Sequence, residues 1–428
     1  MSMRRALLIV ALLAFLLSWF AGTHLPALVA VILNAVVLIH FELATVRRLL
    51  FTGAALALPP PPFKPLPPLP RLTALVPCRN EAAVLADTLQ AWDEVDYPRS
   101  RLQVIFIDDN SDDETFKLLA MFAAHRPWVM VLRKDTPAVG KGAALSAGLA
   151  AAHPSDGVLV FDADARPAVD CLMILTEHLN NPAVAAVAGR MIPDDHPSLA
   201  AVYARLESAV HQRLTLTGAT RLGATVPLLG SAYLVRRNLL DALDFDPTHR
   251  LEDIDLSLRL LERGFRIAFE PHAVCRHHPP ADWRALTAQR TAWARGFHRV
   301  IAEHLRPAVV SADSGLLAID RLLYTLGYFD RVSLLIGLLL CALDAWVLPA
   351  LWLPWWVIVA YVAVPLAQIP LAALLDGWTM RQLLRLAPAL AMSLVEVIAE
   401  PLAWLLDFIR LPLRWRKIPR AGEERGHG

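Results

Sequence analysis

The chain lacks a charge imbalance. Its 41 Lys and Arg nearly cancel its 40 Asp and Glu, leaving a formal net charge of +1 over 428 residues. That balance excludes the basic footprint of a general nucleic-acid binder. Cysteine is scarce as well. Cys78, Cys171, Cys275 and Cys341 are scattered and share no metal-ligand spacing. They form no disulfide framework, which suits a reducing compartment. A P-loop is also missing. Around Lys141 the spaced first glycine is absent, and Gly142 stands where Ser or Thr should follow. What the chain has in excess is apolar residues, at 56%, with a mean hydropathy of +0.44. This is too apolar for a soluble protein and too long for one ordinary domain. Membrane segments attached to a globular part are expected.

Ala6–Phe20 and Leu25–Leu43 are long enough, or nearly so, to cross a bilayer as helices. The second follows too soon for the first to be a signal peptide, so residues 1–50 read as a transmembrane hairpin. Arg4 and Arg5 flank one end, Arg47 and Arg48 the other, which places both ends in the cytoplasm. The proline-dense stretch Pro59–Pro70, within residues 51–70, reads as a stiff spacer. Residues 71–306 alternate strand and helix patterns and predict a mostly parallel, doubly wound α/β sheet. The expected strands include Leu72–Val76, Leu102–Ile107, Trp128–Leu132, Gly157–Phe161 and Val226–Val235, the last broken at Gly230. Within residues 307–410, Val332–Leu348 and Leu353–Leu375 are expected spans, while Leu316–Phe329 looks amphipathic. Leu384–Phe408 carries Glu396, Glu400 and Asp407 and two prolines. Since both flanking parts belong in the cytoplasm, either it lies at the interface or re-enters, or Leu316–Phe329 is a further span; two spans plus interfacial helices are preferred. The basic tail, residues 411–428, belongs with the cytoplasm. The expected localisation is therefore an integral membrane protein, in a bacterial inner or plasma membrane, with its globular domain cytoplasmic.

Ser155–Pro167, SDGVLVFDADARP, is the stretch around which the rest is organised. A continuous apolar run ends in Asp162-Ala163-Asp164. If the strand geometry continues, residues two apart share a side, so both carboxylates aim at one point beyond the strand's C-terminal end. Open α/β sheets bind ligands there. Two carboxylates suit a hard divalent cation that also holds a diphosphate. Taken alone, the same residues read more readily as a helix N-cap and a solvated turn, since so short a motif often occurs by chance.

Five further stretches fall in order around that pair. They are Pro77-Cys78-Arg79-Asn80-Glu81, Asp108-Asp109, Gly140-Lys141-Gly142, Leu251-Glu252-Asp253 and Gln289-Arg290-Thr291-Ala292-Trp293. Together they resemble glycosyltransferase family 2, in its membrane-integral branch of cellulose, hyaluronan and poly-N-acetylglucosamine synthases and ceramide glucosyltransferases. Trp415–Arg420 resembles the short basic tail motif of some members. His272, His277 and His278 are read as loop histidines rather than a ligand set.

The resemblance implies a GT-A, Rossmann-like nucleotide-diphospho-sugar transferase fold flanked by transmembrane helices. It implies a UDP-sugar donor, a membrane lipid or growing glycan as acceptor, and Mg²⁺ or Mn²⁺. By the same resemblance Asp109, with Asp108, holds the uridine, and Pro77 and Glu81 line that pocket. Lys141 offsets nucleotide or diphosphate charge. Asp162 and Asp164 bind the ribose-diphosphate end and the metal, Asp253 is the general base, and Glu252, Gln289, Arg290 and Trp293 belong to the acceptor and diphosphate end. One position departs from the pattern: Ala292 stands where the family motif has arginine. Arg290 or Arg295 is left to supply that charge. The expected activity is inverting glycosyl transfer; the alternatives are a processive polysaccharide synthase that secretes its product, and an inactive scaffold relative.

Overall fold

The computed structural model describes residues 24–58, 68–135, 140–310, 315–346, 355–411 and 419–420. The expected span Ala6–Phe20, residues 59–67 of the spacer and residues 415–418 of the tail motif lie outside them. The chain divides into two compact units, Met1–Leu49 with Phe329–Ala367, and Leu50–Tyr328 with Gln368–Gly428.

The first unit is helical. The helix His24–Ala57 contributes its first part, running on past the expected end at Leu43. Val37, Phe41 and Ala44 pack with Leu340, Val357, Ile358 and Tyr361. Phe41 stacks on Tyr361 with ring centroids 4.3 Å apart. Asp330 is held by His40 Nε2 at 2.8 Å and by Arg48 at 3.1 Å. Ionisable groups in so apolar a setting are costly unless paired, and these are paired.

The second unit is an eight-stranded mixed sheet with helices on both faces. Its first half follows the expected alternation: β1 (Leu72–Cys78), α1 (Ala82–Glu94), β2 (Leu102–Asp108), α2 (Thr115–Ala123), β3 (Val129–Arg133), α3 (Lys141–Ala151) and β4 (Gly157–Val160). These four strands are parallel, in the order β3-β2-β1-β4. Side chains alternate between two cores. Ala74, Val104, Phe106 and Leu159 face one side, where Trp92 meets Phe161 edge-on at 5.2 Å. Leu75, Ile105, Ile107, Val158 and Val160 face the other. Burial on both faces explains the unbroken apolar runs. On the second face α3 lies very close to the sheet: a Cβ added at Gly148 would come within 2.4 Å of Ile107 Cδ1.

The second half keeps the sheet mostly parallel, as expected, but makes it mixed by adding two reversed strands. β5 (Arg166–Pro167), β6 (Val184–Pro193), β7 (Tyr233–Arg236) and β8 (Arg266–His277) complete the order as β4-β7-β6-β8-β5. β6 is parallel to β8, but β7 is antiparallel to both β4 and β6, and β5 is antiparallel to β8. An apolar run reads the same in either direction, so pattern alone carries no strand polarity. The expected strand Val226–Val235 forms only from Tyr233. Gly230 and Ala232 take left-handed backbones, with φ of 77° and 54°, and end the extended run before it.

α4 (Cys171–Glu177) covers one face. α5 (Leu199–Ala209) starts at Ser198, whose hydroxyl accepts the Ala201 amide at 3.3 Å. α6 (Glu252–Glu262) and the long α7 (Trp283–Val310) follow. α8 (Ser393–Phe408) runs along α7. There Asp407 joins Arg295 Nε and His298 Nδ1, each at 2.8 Å. Among the described residues two helices are long and apolar enough to cross a membrane. They are Trp355–Leu375, as expected, and Pro388–Phe408, in place of the expected interfacial or re-entrant segment. The helix over the expected span Val332–Leu348 qualifies only when joined with Leu316–Thr325 as one broken span.

Candidate active site

The site lies where β1, β2 and β4 end. The loops after β1 and β2 each turn through an asparagine in the left-handed region, Asn80 at φ 56° and Asn110 at φ 58°, which asparagine tolerates better than most residues. The two loops are stitched together. Asn80 Oδ1 accepts the Asp112 amide at 2.8 Å, Ser111 Oγ accepts the Asn80 amide at 3.0 Å, and Thr115 Oγ1 accepts the Glu81 amide at 2.8 Å. Pro77 pairs in register with Ile107, and the Asp109 amide donates to Cys78 O at 2.9 Å. Arg79 lies 3.7 Å from the Asp109 carboxylate. The Asp108 carboxylate is fully buried and neither oxygen has a hydrogen-bond partner; Arg133 Nε stands 3.4 Å away. A buried carboxylate left in this state points to a donor that arrives with a ligand.

Beside these loops, Lys141 opens α3. Its ammonium donates to Asp162 Oδ1 at 2.6 Å and to Gly230 O, and lies 3.3 Å from Glu252 Oε1. Burial alone would lower the Lys141 pKa, but Asp162 and Glu252 outweigh it and hold the ammonium charged.

β4 ends at Val160, so Asp162 and Asp164 are placed by a turn and not by strand alternation as expected. Asp162 is fixed by its amide, which donates to Ser231 Oγ at 2.8 Å. Its carboxylate is 41% exposed, while Asp164 is buried. Asp164 Oδ2 accepts the His278 amide at 3.3 Å and lies 3.2 Å from Arg420 Nε. Arg420 also donates through Nη1 to Glu81.

Opposite, Glu252 and Asp253 open α6 and are both buried. Burial, and then the neighbouring Glu252, push the Asp253 carboxyl up to about 7, with Lys141 opposing. Glu252 is raised by burial too. Gly230, at φ 77°, lies beside the Asp253 carboxyl: a Cβ there would sit 3.5 Å from Asp253 Oδ2, an ordinary contact distance. Two residues along from Asp253, in the same first turn, α6 is anchored through Asp255, which binds Arg259 Nε at 2.8 Å and His304 Nε2 at 3.0 Å.

The α7 residues divide. Trp293 is 38% exposed and Gln289 is half-buried. Arg290 is engaged by Glu207 on α5 and stacks over Trp293 at 4.4 Å. Arg295 donates to Asp407 and to Leu411 O. Neither arginine is brought to the carboxylates, so neither takes the place left by Ala292. The three histidines do not converge: His272 pairs with Glu270 at 2.8 Å, and His278 Nδ1 lies 3.6 Å from Asp194. No three His, Cys, Asp or Glu side chains form a ready-made metal cage among the described residues. The pair Asp162 and Asp164 still suits a hard cation. Both offer carboxylate oxygens, and each already faces a positive group, Lys141 on one side and Arg420 on the other.

Sequence reasoning missed Ser231, Arg133 and the position of Arg420. Ser231 and Arg133 lie in segments with no motif of their own. Arg420 stood in a recognised tail motif, but nothing in the sequence says where a tail folds back.

A mixed sheet with acidic turns at the C-terminal ends of its parallel strands defines the GT-A class of nucleotide-sugar transferases. Residues 70–296 match the Glycosyltransferase like family 2 model, just over half of the chain, and the protein belongs to that family. It is 29% identical over 266 residues to the "Probable glycosyltransferase YdaM" of Bacillus subtilis (strain 168), covering 61% of this chain and 62% of that protein, so family membership is what these matches show. It is 28% identical over 232 residues to the poly-beta-1,6-N-acetyl-D-glucosamine synthase of Staphylococcus aureus (strain COL), covering 54% of this chain and 55% of that one. The chain thus matches less than two thirds of the length of these curated relatives. Its fold is similar to that of the mannosyltransferase PcManGT from Pyrobaculum calidifontis, solved with GDP-Man and Mn²⁺. That similarity has a TM-score of 0.58 and 24% identity, and covers 88% of this chain and 99% of the other.

Proposed function

We propose that this protein is a membrane-anchored, inverting transferase that moves a sugar from a UDP-sugar to a membrane lipid or growing glycan on the cytoplasmic face. The observation that carries this reading is Asp253. Its carboxyl is buried at a helix start, beside the Glu252 that Lys141 ties to the acidic turn after β4, and is raised to about 7. A base poised near the working pH is what proton removal from an acceptor hydroxyl requires.

In this mechanism Asp108, Asp109, Pro77 and Glu81 receive the nucleoside. Lys141 holds Asp162 against the start of α6 and offsets diphosphate charge as a compact cation. A bound Mg²⁺ or Mn²⁺, held by Asp162 and Asp164, would polarise the leaving diphosphate as a Lewis acid. Asp253 takes the acceptor's proton as its oxygen attacks the anomeric carbon from the side opposite the diphosphate. One displacement inverts the configuration. Glu252, Gln289 and Trp293 line the acceptor end. Membrane anchoring rests on the apolar helices Trp355–Leu375 and Pro388–Phe408.

UDP release by the purified protein, with a panel of UDP-sugars and with or without EDTA, tests the proposal. The parent is expected to turn over at least one donor only in Mg²⁺ or Mn²⁺, and Asp164→Ala to lose both turnover and UDP binding. Equal turnover in EDTA would remove the metal from the mechanism. The synthase named among the relatives favours a second reading, processive polymer synthesis. Ala292 favours one or a few sugars per acceptor. The chromatographic size of the product from a radiolabelled donor decides between them.

A further inference from the structure

The diphosphate end of this site needs a cation beyond Lys141, and α7 does not deliver one. Ala292 has no charge to offer, Arg290 is engaged by Glu207, and Arg295 is engaged by Asp407 and Leu411 O. The cation that reaches the site comes from the other end of the chain. Arg420 places its guanidinium between two buried carboxylates, donating through Nη1 to Glu81 and lying 3.2 Å from Asp164 Oδ2 through Nε. Its backbone is docked independently of that side chain. Pro419 O accepts the Ala281 amide at 3.0 Å, and Arg420 forms an antiparallel bridge with Pro280. The guanidinium is therefore built into the site by main-chain pairing, next to the segment whose His278 amide also reaches Asp164.

We propose that Arg420 is a diphosphate-binding residue of this transferase, which neutralises Asp164 and Glu81 until the divalent cation and the donor arrive. This rests on the metal role given above to Asp162 and Asp164. Glu81, Asp162, Asp164, Glu252 and Asp253 gather acidic groups around two cations, Lys141 and Arg420. Without Arg420, Asp164 and Glu81 would be buried beside like charges, which is unfavourable. A divalent ion binding Asp164 replaces the guanidinium there, so ion and arginine compete for one carboxylate. The donor then brings phosphate oxygens, and a guanidinium fork matches phosphate as well as it matches carboxylate. A side-chain rotation is enough to pass Arg420 from Asp164 to the diphosphate, because its backbone is already held. The charge that family members carry at the position of Ala292 is thereby supplied from the tail.

The test uses the full-length protein in detergent. Mn²⁺ affinity is measured without nucleotide, by electron paramagnetic resonance of free Mn²⁺. UDP affinity is measured in saturating Mn²⁺. Arg420→Ala is expected to bind Mn²⁺ several-fold more tightly than the parent, because its competitor is gone, and to bind UDP about tenfold more weakly, as loss of a charged hydrogen bond implies. Arg420→Lys, which keeps the charge and loses the fork, should fall between for both constants. If either constant stays at the parent value in Arg420→Ala, the proposal is overturned. Asp164→Ala serves as the control for the underlying reading. If the parent binds Mn²⁺ no better than Asp164→Ala, with and without UDP, the metal site itself is wrong and the proposal falls with it. Equal affinities in parent and Arg420→Ala, with Asp164→Ala impaired, sink the Arg420 role alone.

Discussion

Lys141 Nζ lies 2.6 Å from Asp162 Oδ1 and 3.3 Å from Glu252 Oε1, so one ammonium ties the acidic turn after β4 to the first turn of the helix that carries Asp253. It does two jobs at once. It holds two acidic elements together, and it is the cation that opposes the upward shift of Asp253. Lys141→Ala is therefore expected to weaken UDP binding and to move the pH dependence. With the ammonium gone, Asp253 ionises at higher pH, so the rising limb of kcat/KM shifts upward. Lost charged hydrogen bonds of about 1.5–3 kcal/mol imply roughly a 10- to 100-fold fall in UDP affinity. Steady-state UDP release across pH, with UDP binding in parallel, measures both. A limb that stays in place would detach Lys141 from the base.

Asp253 is the general base in the proposed mechanism. A general base works only when deprotonated. Burial and Glu252 raise its carboxyl to about 7, so kcat/KM should climb as pH rises through that value. Asp253→Asn keeps the shape and loses the proton acceptor. It should lower kcat by about 10²–10⁴-fold and leave UDP affinity near the parent value. That pattern marks an interaction made only in the transition state. An Asp253→Asn protein with near-parent turnover would remove the base assignment.

What the sequence shows about this site follows from distance along the chain. The places of Pro77, Glu81, Asp108, Asp109 and Lys141 were legible because each sits at the end of an apolar strand or the start of a helix, where local pattern determines position, while their roles come only from the family resemblance. Asp162 and Asp164 were legible as residues, but their geometry was not. The strand stops at Val160, and it is Ser231, from a distant loop, that fixes Asp162. The polarity of β7 was hidden because Tyr233–Arg236 is a short buried run, equally apolar in either direction. Arg420 was hidden for the most general reason: its partner Glu81 is 339 positions away, and no local rule reaches that far.

His304 gives the last prediction. It joins α7 to α6, with Nε2 3.0 Å from Asp255 Oδ1 and Nδ1 2.6 Å from Glu262 Oε1. The same corner holds Arg259, paired with Asp255 at 2.6 Å. It also holds His249, which lies 3.8 Å from Asp255 and 3.1 Å from Glu303. Burial alone would lower the His304 pKa, but the two carboxylates outweigh it and raise it to about 9. The unfolded chain titrates histidine near 6.5. The folded state thus binds the extra proton between about 6.5 and 9, so its stabilisation is complete below that window and is lost as pH rises through it. The contribution is on the order of 1–3 kcal/mol. Thermal unfolding of the parent in detergent should show Tm falling by a few degrees between those pH values, and His304→Gln should flatten the curve. Because Asp255 is two residues from Asp253, loss of the clamp should also loosen the base, giving kcat a falling limb near pH 9 above its rise near 7. His304→Gln should lower kcat and abolish that falling limb, with UDP affinity little changed. A falling limb that survives in His304→Gln would show that another group sets it and that the clamp does not position Asp253.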